Sequence, residues 1–280
     1  MKLAGMVTFY NPTKKNINNI NNYIDELDKL YIVDNSSKSN KNILPKNDKI
    51  EYIFNNGNLG IATAMNIGST MAYSSKYKWL LTMDQDSLMT SNILKDMKMF
   101  LINNKMQNIG LISPYHDVDS NDKIPNDEYT LMVEVMSSGN IINLDAWHKI
   151  GGFKDAFFID CVDMEYCMNL RIHDYKVLRL NHIIMKHNLG EYQIKHFLGK
   201  EYRISNHNAI RRYYMERNVH YLFDMYNKYF PDYCDYLIRV QKGQIKRIIL
   251  FEKDKIKKIK MTVKGYKDYK NGIKGIYRNG

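Results

Sequence analysis

The stretch Trp79-Leu-Leu-Thr-Met-Asp-Gln-Asp-Ser87 indicates the fold. Its apolar run is typical of a strand that is buried on both faces of a parallel sheet. The run stops at Asp84-Gln85-Asp86, and ligands of open α/β sheets bind beyond the carboxyl ends of the strands. Two carboxylates with i, i+2 spacing at that point suit one hard cation, which prefers oxygen ligands. The same residues also suit a turn followed by a helix cap, so the triplet alone leaves both interpretations open.

Apolar runs on both sides of this strand repeat the pattern. They predict strands at Leu3–Tyr10, Leu30–Val33, Ile50–Phe54 and Ile109–Ser113. Apolar residues at helical spacing lie between the strands, and those from Ile17 to Leu27 predict one surface helix. Strands that alternate with helices imply a parallel sheet with right-handed crossovers. The sequence therefore predicts an α/β fold whose mostly parallel central sheet is flanked by helices.

The second half of the chain has weaker patterns. Residues 114–128 and 191–205 are polar and are predicted to be loops. Asp163 lies in the first turn of a predicted helix, where a carboxylate suits the helix dipole. A further helix is predicted from Arg211 to Met225, before Pro231.

Charge is distributed unevenly along the chain. The 280 residues have a net charge of +11, and residues 235–280 contain 14 Lys or Arg against four Asp or Glu. The apolar residues of this basic tail fit amphipathic helices, and binding to a membrane surface and plain packing both explain them. No apolar run approaches the ~20 residues that span a bilayer. There is no signal-peptide pattern at the N-terminus, so a cytoplasmic protein is expected.

Several short motifs occur together in a definite order. They are Val7-Thr-Phe-Tyr10, Ile32-Val-Asp-Asn-Ser-Ser37, Asn58-x-Gly-x-Ala-x-Ala-x-Asn66-x-Gly68, Asp84-Gln-Asp-Ser87 and Gly151-Gly-Phe…Phe158-Ile-Asp-x-Val-Asp163. In this order and spacing the chain resembles the family 2 inverting glycosyltransferases of GT-A fold. His187-x-x-Gly190 and Arg212-Tyr-Tyr-x-x-Arg217-Asn218 are similar to the rhamnosyltransferase branch of that family.

The resemblance implies a domain organisation. Residues 1–225 would form the GT-A catalytic domain, with a nucleotide-binding half to about residue 113 and an acceptor half over 114–225. Residues 226–280 would form a C-terminal basic, helical extension.

The resemblance also implies a donor site for a nucleotide-sugar. Its predicted residues are Thr8, Tyr10, Asp34, Asn58, Asn66, Asp84, Gln85, Arg212 and Arg217. Asp34 would bind the pyrimidine base, and the arginines would contact the diphosphate or an acceptor, since arginine suits phosphate oxygens. Asp84, Asp86 and His187 would hold Mg²⁺ or Mn²⁺, which would neutralise the departing nucleoside diphosphate.

Asp163 is the implied general base of the reaction. It would take the proton from an acceptor hydroxyl that attacks the anomeric carbon from the face opposite the diphosphate, so one displacement inverts the configuration. The family usually has Glu-Asp where this chain has Val162-Asp163, which leaves Asp160 as a rival. Ser138, Gly139 and Asp160 are predicted on the acceptor side.

The implied activity is transfer of a sugar to a glycan hydroxyl in cell-surface polysaccharide assembly. The expected donor is dTDP-L-rhamnose, and a UDP-hexose is the competitor. The acceptor would be carried on a polyprenyl diphosphate at the inner membrane face, where the basic tail would bind anionic lipid. Nucleic acid is not expected as a partner, although a membrane- or nucleic-acid-binding module remains the alternative of another class. A sugar nucleotidyltransferase would need a Gly-rich loop after the first strand, and Thr8–Pro12 has none.

Overall fold

A central sheet of eight strands organises the structure, a computed structural model that describes residues 1–117, 123–186, 193–197 and 199–278. The strands of this sheet are β1 (Ala4–Phe9), β2 (Lys29–Asp34), β3 (Ile50–Phe54), β4 (Trp79–Asp84), β5 (Ile109–Asp117), β6 (Tyr129–Leu131), β7 (Asn140–Asn143) and β8 (Lys176–Lys186). Two further strands, β9 (Gln193–Phe197) and β10 (Lys200–Ile204), form a separate antiparallel hairpin. The helices are α1 (Lys14–Asn19), α2 (Ile61–Ser74), α3 (Ser91–Asn103), α4 (Leu144–Lys149), α5 (Val162–Ile172), α6 (Ala209–Tyr226), α7 (Pro231–Phe251) and α8 (Lys255–Lys270).

The strand order of the sheet is β3-β2-β1-β4-β7-β5-β8-β6. The pairs β3·β2, β2·β1, β1·β4 and β5·β8 are parallel, whereas β7 and β6 run antiparallel to their neighbours. Strands β1, β2 and β4 are almost wholly buried, as their continuous apolar runs predict. The predicted α/β fold with a mostly parallel sheet is therefore confirmed.

The predicted helix over residues 17–27 is interrupted in the structure. α1 ends at Asn19, and two short 3₁₀ turns, Ile20–Asn22 and Ile24–Glu26, follow it. The break falls at Tyr23, whose backbone is not helical. The predicted apolar positions are all buried nevertheless, so packing on the sheet fixes this segment although its many asparagines favour turns.

Two segments predicted as loops contain strands. Within residues 114–128, β5 continues through Pro114 to Asp117 and pairs with β8, after a register shift at Pro114/Tyr115. Within residues 191–205, β9 and β10 form the hairpin. The loop prediction failed there because nearly all side chains of this two-stranded hairpin are exposed, so they show no apolar alternation.

Two compact units make up the chain. The first consists of residues 1–154 and 163–187, and the second of residues 155–162 and 188–280. The eight-stranded sheet belongs to the first unit, whereas α6, α7 and α8 pack together in the second. The predicted boundary near residue 225 falls at the end of α6, inside the second unit.

The helices of the second unit lie in close contact. Gly265 of α8 lies so near the Tyr213 carbonyl of α6 that a Cβ at this position would collide with it. Close backbone approach of this kind needs glycine. Among the helices of the described residues, none has the length and apolar content needed to cross a bilayer.

Candidate active site

The carboxyl ends of β1, β2 and β4 bring three predicted site residues to one edge of the sheet. Thr8 is in register with Asp84, and Phe9 is in register with Asp34. Thr8 is buried, and its hydroxyl has no hydrogen-bond partner in the structure. A buried hydroxyl without a partner is costly unless a ligand or water satisfies it. This edge of the sheet therefore has a polar group that could form a hydrogen bond with a bound ligand.

Asp34 organises the loop that follows β2. Its fully buried carboxylate accepts hydrogen bonds from the Ser36 backbone N–H, from the backbone and side-chain N–H of Asn40 and from the Tyr52 hydroxyl, at 2.6–3.3 Å. Burial alone would raise its pKa, but the hydrogen bonds from Ser36, Tyr52 and Asn40 outweigh burial, and the net pKa is lowered. Asp34 is thus an internally bonded anion that shapes the predicted base pocket, and direct base contact stays a prediction.

Gln85 links the ends of β1 and β4. Its side-chain oxygen accepts from the Tyr10 backbone N–H at 2.9 Å, and its side-chain nitrogen donates to the Tyr10 carbonyl at 3.2 Å. Its own carbonyl accepts from the side chains of Asn16 and Asn19. Gln85 therefore positions the loop after β1 and leaves the half-exposed ring of Tyr10 at the site edge.

The Asp84–Ser87 segment is a turn closed by the Ser87 N–H and the Asp84 carbonyl, 3.3 Å apart. Asp84 is half-buried and Asp86 is exposed. Across the part of the chain that the structure describes, no three His, Cys, Asp or Glu residues form a metal-binding group. Two carboxylates with oxygen ligands alone still fit Mg²⁺ or Mn²⁺, because such ions commonly complete their shell with water and substrate phosphates. The third predicted ligand, His187, lies outside the described residues, as does Gly190.

Ser138 and Gly139, predicted on the acceptor side, are bonded to the end of β4. Both are buried, and the Ser138 hydroxyl accepts from the Asp84 backbone N–H at 3.1 Å. The Ser138 carbonyl lies 2.7 Å from the imidazole Nε2 of His116. The Gly139 N–H donates to the Thr82 carbonyl at 2.8 Å. These bonds fix the end of β4, and the place of both residues on the acceptor side stays a prediction.

Asp163 lines a cavity of about 260 Å³ in the first unit. The other lining residues are Tyr115, His116, Met132, Glu134, Val135, Met136, Met164 and Arg179. Asp163 lies in the first turn of α5, where one of its carboxylate oxygens accepts from the Met164 N–H at 3.0 Å. The cavity therefore combines the predicted base with further polar side chains.

Sequence reasoning missed three polar groups of this cavity, His116, Glu134 and Arg179. The guanidinium of Arg179 lies 4.8 Å from the centre of the Tyr115 ring and donates to Asn181 at 3.2 Å. Tyr115 and His116 lie near the carboxyl end of β5, so the rule that ligands bind at such ends would have found them. The loop prediction for 114–128 concealed that strand end.

Asn58 and Asn66 differ in what they bind. The Asn58 side chain is exposed and accepts from the Gly60 N–H. The Asn66 amide bonds both the N–H and the carbonyl of Phe153, at 2.9 and 2.8 Å, and accepts from the Trp147 indole. Asn66 thus joins α2 to the bend after α4, and its predicted nucleotide contact stays a prediction.

That bend needs glycine. Gly152 has a φ of +71°, and a Cβ there would collide with the Asn66 amide oxygen and the Trp147 indole nitrogen. The hydrogen bonds of Asn66 therefore depend on the Gly-Gly-Phe motif.

Asp160 belongs to the second unit. One of its carboxylate oxygens lies 3.1 Å from both Nε and Nη2 of Arg211, and the other oxygen is buried without a hydrogen-bond partner. Burial raises the pKa of Asp160, against the opposing effect of Arg211. The residue has a left-handed backbone, with a φ of 61°. Non-glycine residues in this region often mark functional sites, so its acceptor role stays a prediction.

Arg212 and Arg217 are internal residues of the second unit. Both side chains are fully buried. Arg212 is ion-paired with Glu252, which also binds Lys258 at 2.9 Å. Arg217 donates to the carbonyls of Ala156, Phe157 and Gly275, at 2.7–3.2 Å. Protein groups occupy most of the donors of these arginines, and their predicted contact with a diphosphate or an acceptor stays a prediction.

Solved structures support the same fold. The chain is similar to S. aureus TarS in complex with UDP-GlcNAc, with a TM-score of 0.58 and 12% identity over 98% of this chain and 82% of that one. It is also similar to GalNAc-T7 with UDP, GalNAc and Mn²⁺, with a TM-score of 0.54 and 12% identity over 71% of this chain and 44% of that one. These similarities show that the chain has a GT-A-like fold.

The family follows from the sequence comparison. The family model described as glycosyl transferase family 2 matches residues 7–171, more than half of the chain, and the chain belongs to this family. It is also similar to the dTDP-rhamnosyl transferase RfbF of Shigella flexneri, with 26% identity over 78% of each protein. The predicted family and its rhamnosyltransferase-like character are therefore confirmed.

Proposed function

We propose that this glycosyltransferase moves L-rhamnose from dTDP-L-rhamnose to a hydroxyl of a glycan acceptor and inverts the anomeric configuration. The observation that carries the proposal is a connection between two acidic positions. The Asp84 backbone donates to Ser138, whose carbonyl lies beside His116, and His116 lines the cavity that contains Asp163. Similarity to RfbF supports the donor.

The donor end of the site is the edge of the sheet at β1, β2 and β4. Here Asp86 and Asp84 would hold Mg²⁺ or Mn²⁺, and such a cation stabilises the negative charge that develops on the departing diphosphate. The ring of Tyr10 and the loop organised by Asp34 would enclose the nucleotide base. The hydroxyl of Thr8, buried and without a partner, would bond to the donor.

The acceptor end is the Asp163 cavity. Asp163 would remove the proton from the attacking hydroxyl, and a well-placed general base contributes roughly 10²–10⁴ in rate. Glu134, His116 and Arg179 offer hydrogen bonds to sugar hydroxyls around it. The placement of base and metal-binding carboxylates at different positions suits in-line displacement.

A UDP-hexose donor is the second candidate. Its support is that the similar structures TarS and GalNAc-T7 are complexes with UDP-GlcNAc or with UDP and GalNAc. A pocket that recognises a pyrimidine leaves the sugar open, so one experiment must separate the two donors.

The acceptor would be a glycan carried on a polyprenyl diphosphate in cell-surface polysaccharide assembly. We place the reaction at the inner face of the membrane, where the basic tail would bind anionic lipid. Each Lys or Arg near such a surface contributes about 1 kcal/mol.

The test is a donor screen by calorimetry in the presence of Mn²⁺ or Mg²⁺. We expect metal-dependent binding of dTDP-L-rhamnose, and its loss in Asp86→Ala. Asp96→Ala, an exposed aspartate on α3, is the matched control and should bind as the wild type does. Binding of UDP-sugars in place of dTDP-rhamnose selects the second candidate. A folded protein that binds no nucleotide-sugar refutes both.

A further inference from the structure

Several large apolar side chains of the second unit are exposed and take no part in the proposed reaction. Ile256, in the first turn of α8, is 75% exposed. Ile249 and Leu250, near the end of α7, are 54% and 45% exposed, and Phe197 at the end of β9 is 43% exposed. A cluster of exposed apolar groups marks a surface that binds an apolar partner.

Aromatic ring contacts join the hairpin to the end of α7. The Phe251 ring lies 6.0 Å from that of Phe197 and 5.1 Å from that of Tyr202. Phe197 pairs with Lys200 across the hairpin, and Tyr202 pairs with Lys195. Because paired residues, and residues two apart on one strand, share a face, Phe197 and Tyr202 lie on the same face of the hairpin. The hairpin therefore meets the end of α7 at Phe251. We give the name apolar tip to the apolar side chains of the hairpin end, the end of α7 and the start of α8. It consists of Phe197, Ile249, Leu250, Phe251 and Ile256.

Basic side chains surround the apolar tip. On the hairpin and over residues 246–260, the exposed lysines are Lys195, Lys200, Lys246, Lys253, Lys255, Lys257 and Lys260. Over residues 193–197, 199–204 and 246–260, the acidic residues Glu201 and Asp254 are exposed and Glu252 is buried, whereas the exposed Asp232 and Asp235 lie at the far end of α7. The surface around the tip is thus strongly positive.

A buried ion cluster holds the corner in place. Glu252 lies in the connection between α7 and α8, with Arg212 of α6 on one carboxylate oxygen and Lys258 of α8 on the other. Lys258 also donates to Asn206 at 2.6 Å. Because this cluster fixes both helices to α6, it holds the apolar tip in a fixed position.

The outer face of α8 extends the same pattern. Ile256, Lys260, Val263 and Lys267 follow one another at helical spacing, and all four are exposed. Apolar residues alternating with lysines on one solvent face are typical of helices that lie in a lipid interface, where lysine heads reach outward to the phosphates.

We infer that the apolar tip inserts into the interfacial region of an anionic lipid bilayer, with the surrounding lysines on lipid phosphates. This inference rests on the membrane location in the proposed function and adds insertion of named side chains to it. Aliphatic Ile and Leu bury favourably in lipid. Nucleic acid would instead favour aromatic platforms for base stacking, and the aromatic rings of the tip pack against each other.

The experiment is flotation of the full chain with vesicles of phosphatidylcholine that contain about 30% phosphatidylglycerol, a usual anionic fraction. Vesicles of pure phosphatidylcholine are the comparison. The wild type should float with the anionic vesicles at physiological salt. The double variant Phe197→Ser/Ile256→Ser should bind roughly tenfold or more weakly, since each buried apolar side chain contributes about that factor. Ile102→Ser, at an isoleucine on α3 that is 54% exposed, is the matched control and should bind unchanged.

A second measurement reports insertion directly. In Ile256→Trp the added indole should show a blue-shifted emission with anionic vesicles and be quenched by brominated lipid chains. Binding that is unaffected by the double variant overturns the inference, as does an indole that stays in water. Preference for a polynucleotide over vesicles overturns it too. Donor calorimetry on the same variants is independent of lipid, so failure of the tip and failure of the transferase proposal are distinguishable.

Discussion

Charged side chains serve opposite purposes in the two units. In the first unit, Asp86 is exposed, Asp84 and Asp163 are half-buried, and the last lines a cavity. In the second unit, Arg212 and Glu252 are fully buried and ion-paired. Charges left near solvent can meet a ligand, whereas charges paired inside protein hold helices together. Charged residues that look alike in the sequence thus differ in burial. The more exposed ones are candidates for chemistry, and the buried pair holds helices together.

The largest effect should come from the proposed base. Asp163→Asn should lower the turnover number by about 10²–10⁴ because the amide cannot accept the acceptor's proton. Donor binding and the free energy of unfolding should be unchanged, which a steady-state assay, calorimetry and urea titration would measure. Asp145→Asn, an exposed aspartate on α4, is the control. Equal activity of Asp163→Asn and wild type would remove Asp163 from catalysis and turn attention to Asp160.

The buried pair of the second unit should control stability instead. Arg212→Met should lower the free energy of unfolding by about 3–5 kcal/mol, because it leaves the buried Glu252 with Lys258 alone. Arg211→Met removes a partly exposed pair with Asp160 and should cost less than about 1 kcal/mol. Urea unfolding followed by far-ultraviolet circular dichroism measures both. If Arg212→Met keeps its stability and loses donor affinity, the contrast between the units is broken.

Asn66 offers a test within the first unit. Asn66→Ala should lower the free energy of unfolding by about 1–3 kcal/mol, since it leaves the backbone groups of Phe153 without their partners. Asn58→Ala loses one exposed hydrogen bond and should cost less. Fluorescence of Trp147, which donates to Asn66, reports the loss directly. A donor-binding defect at unchanged stability would instead support the predicted nucleotide role of Asn66.

The smallest effect should be a difference in acid response. Burial, with the nearby Arg211, Arg212 and Lys258, lowers the pKa of His207 to about 4 from 6.5. The unfolded chain therefore binds this proton first, and the second unit should lose stability as pH falls from about 6.5 towards 4. His207→Gln should flatten that loss, as measured by the urea midpoint at several pH values. An unchanged slope in the variant would contradict the assignment.

Asp34 should act in a lower pH range. Its pKa lies below that of the unfolded chain, so its stabilising effect is complete at neutral pH and is lost as pH falls below about 4. Asp34→Asn should remove that acid-sensitive part. Both tryptophans, Trp79 and Trp147, lie in the first unit, so their fluorescence follows this unit. If the first unit already loses stability between about pH 6.5 and 4, the range expected for the second unit, the predicted difference between the two units is contradicted.

The sheet could be predicted from the sequence because its parallel strands are buried on both faces. β3 was predicted at its observed bounds, and β2 and β4 within one or two residues. The exposed hairpin β9–β10 could not be found, since tertiary contacts rather than apolar alternation define it. The helix over 17–27 failed because local backbone at Tyr23 overrides a correct apolar pattern.

The site was predictable in part for a similar reason. Motif order brought Thr8, Asp34 and Asp84 to one edge, as the strand register confirms. Spacing gives no measure of burial, so the sequence could not show that Arg212 and Arg217 are buried and bonded to protein groups. Phosphate and a buried carboxylate or carbonyl offer arginine the same oxygen chemistry.

The contacts between α6 and the C-terminal residues that follow it have a consequence for truncation of the protein. A chain ended at residue 225 would lose Glu252 and the Gly275 carbonyl, and would leave the guanidinium groups of Arg212 and Arg217 without these partners. Deletion of the basic tail is therefore not a clean way to remove its positive charge. Replacement of the outward lysines of α8 by glutamine removes positive charge and keeps the inner face of the helix intact. The C-terminal helices therefore tolerate a change of surface charge but not deletion.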